Sequence, residues 1–131
     1  MLDHLSVGVH DLDRSTAFYE RVLATIGYQL HRREGAEVAF GPADAWTFFL
    51  YPVDPARSVA AAGSHVAFRA PDRGAVRRFH AAALAAGGSP VPDRAPAERP
   101  QFGADYFGAV LSDPDGHALE VMTRAPEEDA R

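Results

Sequence analysis

The sequence predicts an α+β fold built from two tandem βαβββ modules, their sheets curled around a shared cup and their helices outside. Three observations carry this expectation. An alternating strand is followed by a capped amphipathic helix at the N-terminal end. A shift of 61 residues without a gap lays that pair on a second one, placing His4 on His65, Asp11 on Asp72, Phe18 on Phe79, Leu23 on Leu84 and Gly27 on Gly88. Short apolar runs separated by turn residues then follow each helix. A unit this small cannot bury its own sheet, so two are expected to pack together.

In residues 2–9, Leu5, Val7 and Val9 alternate with His4, Ser6 and Gly8, the period of a half-buried strand. Asp13 is positioned to cap a helix over about residues 14–26, with Phe18, Val22, Leu23 and Ile26 on one face and Gly27 as its stop. Residues 28–33, 37–41 and 45–52 read as three strands of a meander, separated by Glu34-Gly35 and Gly41-Pro42-Ala43-Asp44. Residues 53–63 lack periodicity and read as a connector. Residues 64–70 form the second alternating strand, Asp72 caps a helix carrying Val76, Phe79, Ala83 and Leu84 inward, and Gly87-Gly88 ends it. After a proline-rich excursion over residues 90–100 come a strand at 105–111 and the turn Asp113-Pro114-Asp115-Gly116, from which a last strand must emerge. The chain is thus expected to be one domain over residues 1–131: a first module of about 1–52, the connector, a second module of about 64–123, and a charged, frayed tail at 124–131.

Composition narrows the chemistry. A chain of 131 residues that is 47% hydrophobic suits a single core that buries roughly two-thirds of the unfolded surface. The absence of cysteine removes disulfides, thiolate nucleophiles and thiolate metal sites. All 13 basic residues are arginines, which removes a lysine Schiff base. A net charge of −5, with arginines in pairs rather than a stripe, argues against nucleic acid and leaves a small molecule as the expected partner. The start at Asp3 and His4 does not resemble a leader, and no apolar run approaches membrane-spanning length, so a soluble, cytoplasmic protein with no membrane association is expected.

Glu120 stands out on the last strand, where Ala118, Glu120 and Met122 share one side and His117, Leu119 and Val121 the other. It is either a carboxylate on a solvated face or a metal ligand or base inside the cup. His4 and His65 occupy the same offset of equivalent strands and so point to the same side. Singly, one reads as a polar residue near a terminus and the other as a hydrogen-bonded core histidine. His117 lies on the face opposite Glu120 and is not expected to share an ion with it. Trp46 and Phe48 share a face with Leu50 and form either a substrate wall or ordinary core. Tyr106 is positioned to donate to a bound oxyanion or to end in water. Arg69, on the His65 face, would clamp a carboxylate or phosphate or extend to solvent.

Three stretches resemble the vicinal oxygen chelate superfamily, which includes glyoxalase I, extradiol dioxygenases, and fosfomycin- and bleomycin-resistance proteins. They are residues 3–9 with Asp11-Leu12, Ser15 and Phe18-Tyr19; residues 64–68; and residues 113–121. The resemblance implies that His4, His65 and Glu120 hold one divalent cation, Fe, Mn, Ni, Co or Zn, with Glu120 also assisting proton transfer. Two imidazoles and a carboxylate leave coordination positions open for a substrate with adjacent oxygens. It also implies a homodimer, because relatives commonly pair modules across two chains. In glyoxalase I a fourth ligand comes from the last strand of the first module, but residues 45–51 here hold no carboxylate, His or Gln, so lactoylglutathione lyase activity is not expected. Two functions remain: a metal-dependent enzyme of lyase or dioxygenase type acting on an oxygen-rich substrate, and a metal-free sequestering protein resembling the bleomycin-resistance proteins.

Overall fold

In the computed structural model, which describes residues 1–127, the first sheet comprises β1 (Leu5–Val9), β2 (Gln29–Glu34), β3 (Glu37–Gly41) and β4 (Phe48–Pro52), in the order β1-β4-β3-β2. The second comprises β5 (His65–Arg69), β6 (Ser89–Pro90), β7 (Ala97–Glu98), β8 (Phe107–Ser112) and β9 (Ala118–Thr123). Its order is β5-β9-β8-β6, with β7 also on β8. In each sheet the first strand runs parallel to the last, β1 beside β4 and β5 beside β9, and the remaining pairs are antiparallel. This is the expected α+β architecture, and the described residues form no closed barrel.

The helices are α1 (Leu12–Ala24) and α2 (Arg73–Ala85). Asp11, not Asp13, caps the first, its side chain accepting from the Arg14 amide at 3.0 Å, so α1 starts and ends two residues earlier than the sequence suggested. Asp72 caps α2 as expected, accepting from the Ala75 amide at 2.7 Å. Each helix lies on the same side of its own sheet, and the two helices touch. Phe18, Tyr19, Val22 and Leu23 of α1 and Val76, Phe79 and Ala83 of α2 join Phe48, Leu50, Phe68, Leu119 and Val121 in one cluster. Edge-to-face contacts tie the two sheets together: Phe48 to Phe68 at 5.3 Å and Tyr28 to Phe68 at 5.9 Å between centroids.

The second module departs from the first along its edge. Where β2 runs for six residues, the equivalent edge of the second sheet is two stubs, β6 and β7, with residues 91–96 looped out between them. Pro90, Pro92, Pro96 and Pro100 lack the amide donors that a continuous ladder needs. A single 3-10 turn, Pro100–Phe102, then enlarges the hairpin into β8.

The turn at residues 113–116 joins the modules. Asp113, 2% exposed, accepts from the amides of Asp115 and His117 and from the Tyr19 hydroxyl at 2.6 Å. Asp115 accepts from Arg14 at 2.8 Å and from the Ser15 hydroxyl at 3.3 Å. The strand that carries Glu120 is therefore fastened at its start to the first module's helix. Burial, and then the Asp113 charge, holds the Tyr19 hydroxyl well above the ordinary tyrosine range. Because folding raises this pKa, the stabilisation is complete below about pH 10, the value of an unburied tyrosine, and declines at higher pH. Tyr19→Phe should cost about 2 kcal/mol in urea unfolding, the worth of a hydrogen bond to a charged acceptor. An unchanged midpoint would show that this bond does not hold the modules.

The connector is anchored at its beginning. The Val53 amide donates to the Val9 carbonyl at 2.8 Å, and a ring nitrogen of His10 lies 2.7 Å from the Arg57 carbonyl oxygen. The tail expected to fray from residue 124 is also tied where it is described: Arg124 donates to the Phe102 carbonyl at 2.9 Å, and Glu127 lies 3.5 Å from Arg73. Residues 128–131 of that tail lie outside the described residues.

Candidate metal and substrate site

The second sheet presents its chemistry on the side away from the helices. Along β5, Val66 and Phe68 turn toward the core while His65, Ala67 and Arg69 are exposed. Along β9, Leu119 and Val121 are fully buried and Glu120 takes the other face. Glu120 pairs with Ala67, two residues beyond His65. This register brings His65 Nε2 to 3.4 Å from Glu120 Oε1, with the Glu120 side chain 16% exposed and that of His65 54%. Tyr106, just before β8, donates its hydroxyl to Glu120 Oε2. Gly108 permits the approach, since a Cβ there would stand 3.3 Å from the Tyr106 ring.

Burial, then the hydrogen bond and charge of Glu120, push the Tyr106 hydroxyl up to about 12, with the Arg124 guanidinium opposing. That guanidinium stacks 4.9 Å above the Tyr106 ring. Tyr106 is thus a neutral donor at neutral pH. His65, Tyr106 and Glu120 line a cavity of about 600 Å³ that also includes Arg94, Arg99 and Arg124. The cavity can offer an imidazole nitrogen, a carboxylate and a phenolic hydroxyl together with the guanidinium groups of its lining arginines.

His4 stands elsewhere. Its Nδ1 lies 2.7 Å from Asp3, and its ring meets the Phe49 ring edge-on at 5.2 Å. Phe49 pairs with Ser6 in the parallel β1 and β4 ladder just as Glu120 pairs with Ala67 in the second module. The first module therefore repeats the histidine but has a phenyl ring where the second has its carboxylate. Within one chain, the described residues contain no group of three or more His, Cys, Asp or Glu placed to hold a metal ion.

The remaining candidates lie apart from this cavity. Phe48 is 2% exposed on the helix side, between Tyr19 and Phe68, so the core is where its face points. Trp46 is 46% exposed and stacks on His31 at 6.1 Å, on the first sheet. Arg69 shares the His65 face but lines a neighbouring depression with Ile26, Pro71, Thr123 and Arg124, the last of which also lines the His65 cavity. A ring nitrogen of His117 lies 2.7 Å from the Gly8 carbonyl oxygen, away from Glu120. Sequence reasoning did not select Arg94, Arg99 and Arg124. Arg94 and Arg99 lie in the proline-rich excursion, which has no periodicity to assign them a face, and Arg124 lies just past the end of β9.

An α+β sheet pair with a His-Glu cavity on the open side defines a class, and comparison identifies it. The model of the Glyoxalase/Bleomycin resistance protein/Dioxygenase superfamily matches residues 1–121, and the chain belongs to that superfamily. It is similar to a glyoxalase/bleomycin resistance protein from Albidiferax ferrireducens T118, with 27% identity, a TM-score of 0.83, and coverage of 94% of this chain and 98% of that one. Its fold is also that of the fosfomycin resistance protein FosX from Listeria monocytogenes, with 20% identity, a TM-score of 0.68, and coverage of 94% and 92%. FosX from Mesorhizobium loti shares the fold at 22% identity, with a TM-score of 0.67 and coverage of 94% and 91%. No curated protein matches the chain.

Proposed function

We propose that the protein is a metal-dependent enzyme acting on a small oxygen-rich molecule, with each metal site made by His65 and Glu120 of one chain and His4 of a second copy. The observation that supports this reading most is the pairing of a largely buried carboxylate with an imidazole at 3.4 Å on an open sheet face, while the third candidate ligand cannot reach them within one chain. The donor set suits a divalent cation such as Fe, Mn, Ni, Co or Zn, because two imidazoles and one carboxylate leave positions free. When bound, such a cation supplies Lewis acidity to adjacent substrate oxygens. This chain's own residues supply the rest. Tyr106 holds a proton at its hydroxyl, directed at the site, and Glu120 can accept one.

The uncovered faces support a homodimer. His4, Phe49 and Tyr51 line one side of the first sheet with no helix over them, and Phe49 and Tyr51 stack at 6.4 Å. A second copy would cover this surface and bring His4 into the partner's cavity.

Mixing His4→Ala protein with Glu120→Ala protein tests the arrangement. Each mixed dimer should regain one complete site, read as bound metal, whereas neither variant alone holds any. A monomer by light scattering, or no recovery on mixing, would exclude the shared site. A second reading, a metal-free sequestering protein, is favoured by Phe49 at the fourth position and by Tyr106 already satisfying Glu120.

A further inference from the structure

We infer that the cavity selects small organic acids, binding a carboxylate or phosphoryl oxyanion between Arg94, Arg99 and Arg124 while the rest of the molecule extends toward His65 and Glu120. The inference rests on the reading of this cavity as the functional site. It names the end of the ligand that the fold is built to recognise.

The three arginines come from different elements and are held in place by backbone. Arg94 follows Asp93, a non-glycine residue at φ 61°. That left-handed turn, tolerated by Asp better than by most residues, reverses the loop between β6 and β7. The Arg94 carbonyl then accepts from the Val110 amide at 3.0 Å, which pins the residue to β8. Arg99 donates to the Asp93 and Ala95 carbonyls at 3.1 and 3.0 Å, bracing its guanidinium across the same loop. Arg124, just past β9, donates to the Phe102 carbonyl at 2.9 Å and lies over Tyr106.

The side-chain bonds of Arg99 and Arg124 go to neutral carbonyls, so they orient those two guanidinium groups without neutralising them, while Arg94 is placed by its backbone. Among the described residues, none of the three has a carboxylate within salt-bridge distance, although Arg14, Arg32, Arg33, Arg73 and Arg78 all do. In a chain with net charge −5, three guanidinium groups around one cavity, with no carboxylate partner among the described residues and Glu120 the carboxylate of the lining, make a local field that attracts anions. The planar guanidinium fork suits bidentate contact with a carboxylate or phosphoryl group. Arg69 lies outside the cavity lining, in a neighbouring depression that shares only Arg124 with it, and is given no part in this recognition.

Titration calorimetry of the full chain with benzoate, phenylphosphonate and neutral benzamide tests the inference. Manganese titrations of the same samples report the metal site separately. At least one anion should bind about tenfold or more tightly than benzamide, and the better of the two identifies the oxyanion. Arg94→Gln, Arg99→Gln and Arg124→Gln should each weaken that anion by about tenfold, the worth of a charge-assisted contact, while Arg69→Gln leaves it unchanged. Circular dichroism confirms that the variants fold, and Arg99→Lys should restore part of the affinity. Equal binding of all three probes, no detectable binding of either anion, or arginine variants that bind like wild type would overturn the inference. If manganese binds but anions show no preference, the acid-selective pocket is wrong and the enzyme reading stands. If the anion preference holds and manganese does not bind, the pocket stands and the enzyme reading falls.

Discussion

Glu120→Ala should abolish every metal-dependent gain in the stability of the fold. Metal-stripped wild-type protein given Mn, Fe(II), Ni, Co or Zn at about 100 times the dissociation constant should gain about 2.7 kcal/mol, because a ligand that binds only the native state shifts unfolding by mass action. For a chain of this size that is on the order of 10 °C in melting temperature. The gain should fade on acidification, since imidazoles bind metal only when unprotonated. A buried carboxylate with no partner would be costly, and its removal would then stabilise the metal-free protein. The geometry argues the other way. Glu120 already accepts from Tyr106 and lies beside His65, and Tyr106 is only 8% exposed, so the alanine variant strands a phenol and the metal-free protein should lose about 1 kcal/mol. Scanning calorimetry with and without metal reads both effects. A wild-type melting temperature indifferent to every cation would leave the metal-free binding module as the function.

Phe48→Ala should cost about 3–5 kcal/mol of folding stability, the range for removing a buried phenyl and leaving a cavity. Its ring is 2% exposed and packs 5.0 Å from Tyr19 and 5.3 Å from Phe68, so the void would open where the two modules meet. Guanidinium unfolding provides the measurement. A loss below about 1 kcal/mol, with ligand affinity changed instead, would place Phe48 in the binding wall rather than in the core. Trp46→Ala is the contrasting case, since that ring is nearly half exposed and its removal should barely affect stability.

What the sequence conveyed followed from periodicity and end signals. Alternation located β1, β5 and β9, Asp72 and Gly87-Gly88 bounded the second helix, and the offset repeat exposed the duplicated order. Asp11 precedes the first helix while Asp13 lies in its first turn, and the geometry of the Arg14 amide, which donates to Asp11, distinguishes them. Strand parity put His65 and Glu120 on one face, but parity cannot show that β5 and β9 are neighbours. That depends on the parallel pairing closing over α2 and three further strands. For Phe48 and Leu50 alternation gave the shared face and not its direction, whereas Trp46, which precedes β4 and is 46% exposed, does not share it. The helices decide the direction, and they cover Phe48 and Leu50. Arg94 and Arg99 were hidden because prolines had removed the strand pattern that would have assigned them a side, and Arg124 because it falls just past the end of β9.

The broken edge of the second sheet has a consequence for how this chain can change. Prolines and a looped-out segment leave that edge with few amides able to recruit a strand from another molecule, so the interruption also guards against edge-to-edge aggregation. Residues 91–96 contribute little to the ladder, and the cost of closing a loop rises only slowly with its length. Insertions and substitutions there should therefore be tolerated far better than in β8 or β9. Arg94, one of the residues lining the cavity, can thus vary almost independently of the strands that keep the chain folded, so changes of specificity are open to this scaffold through a short stretch of chain.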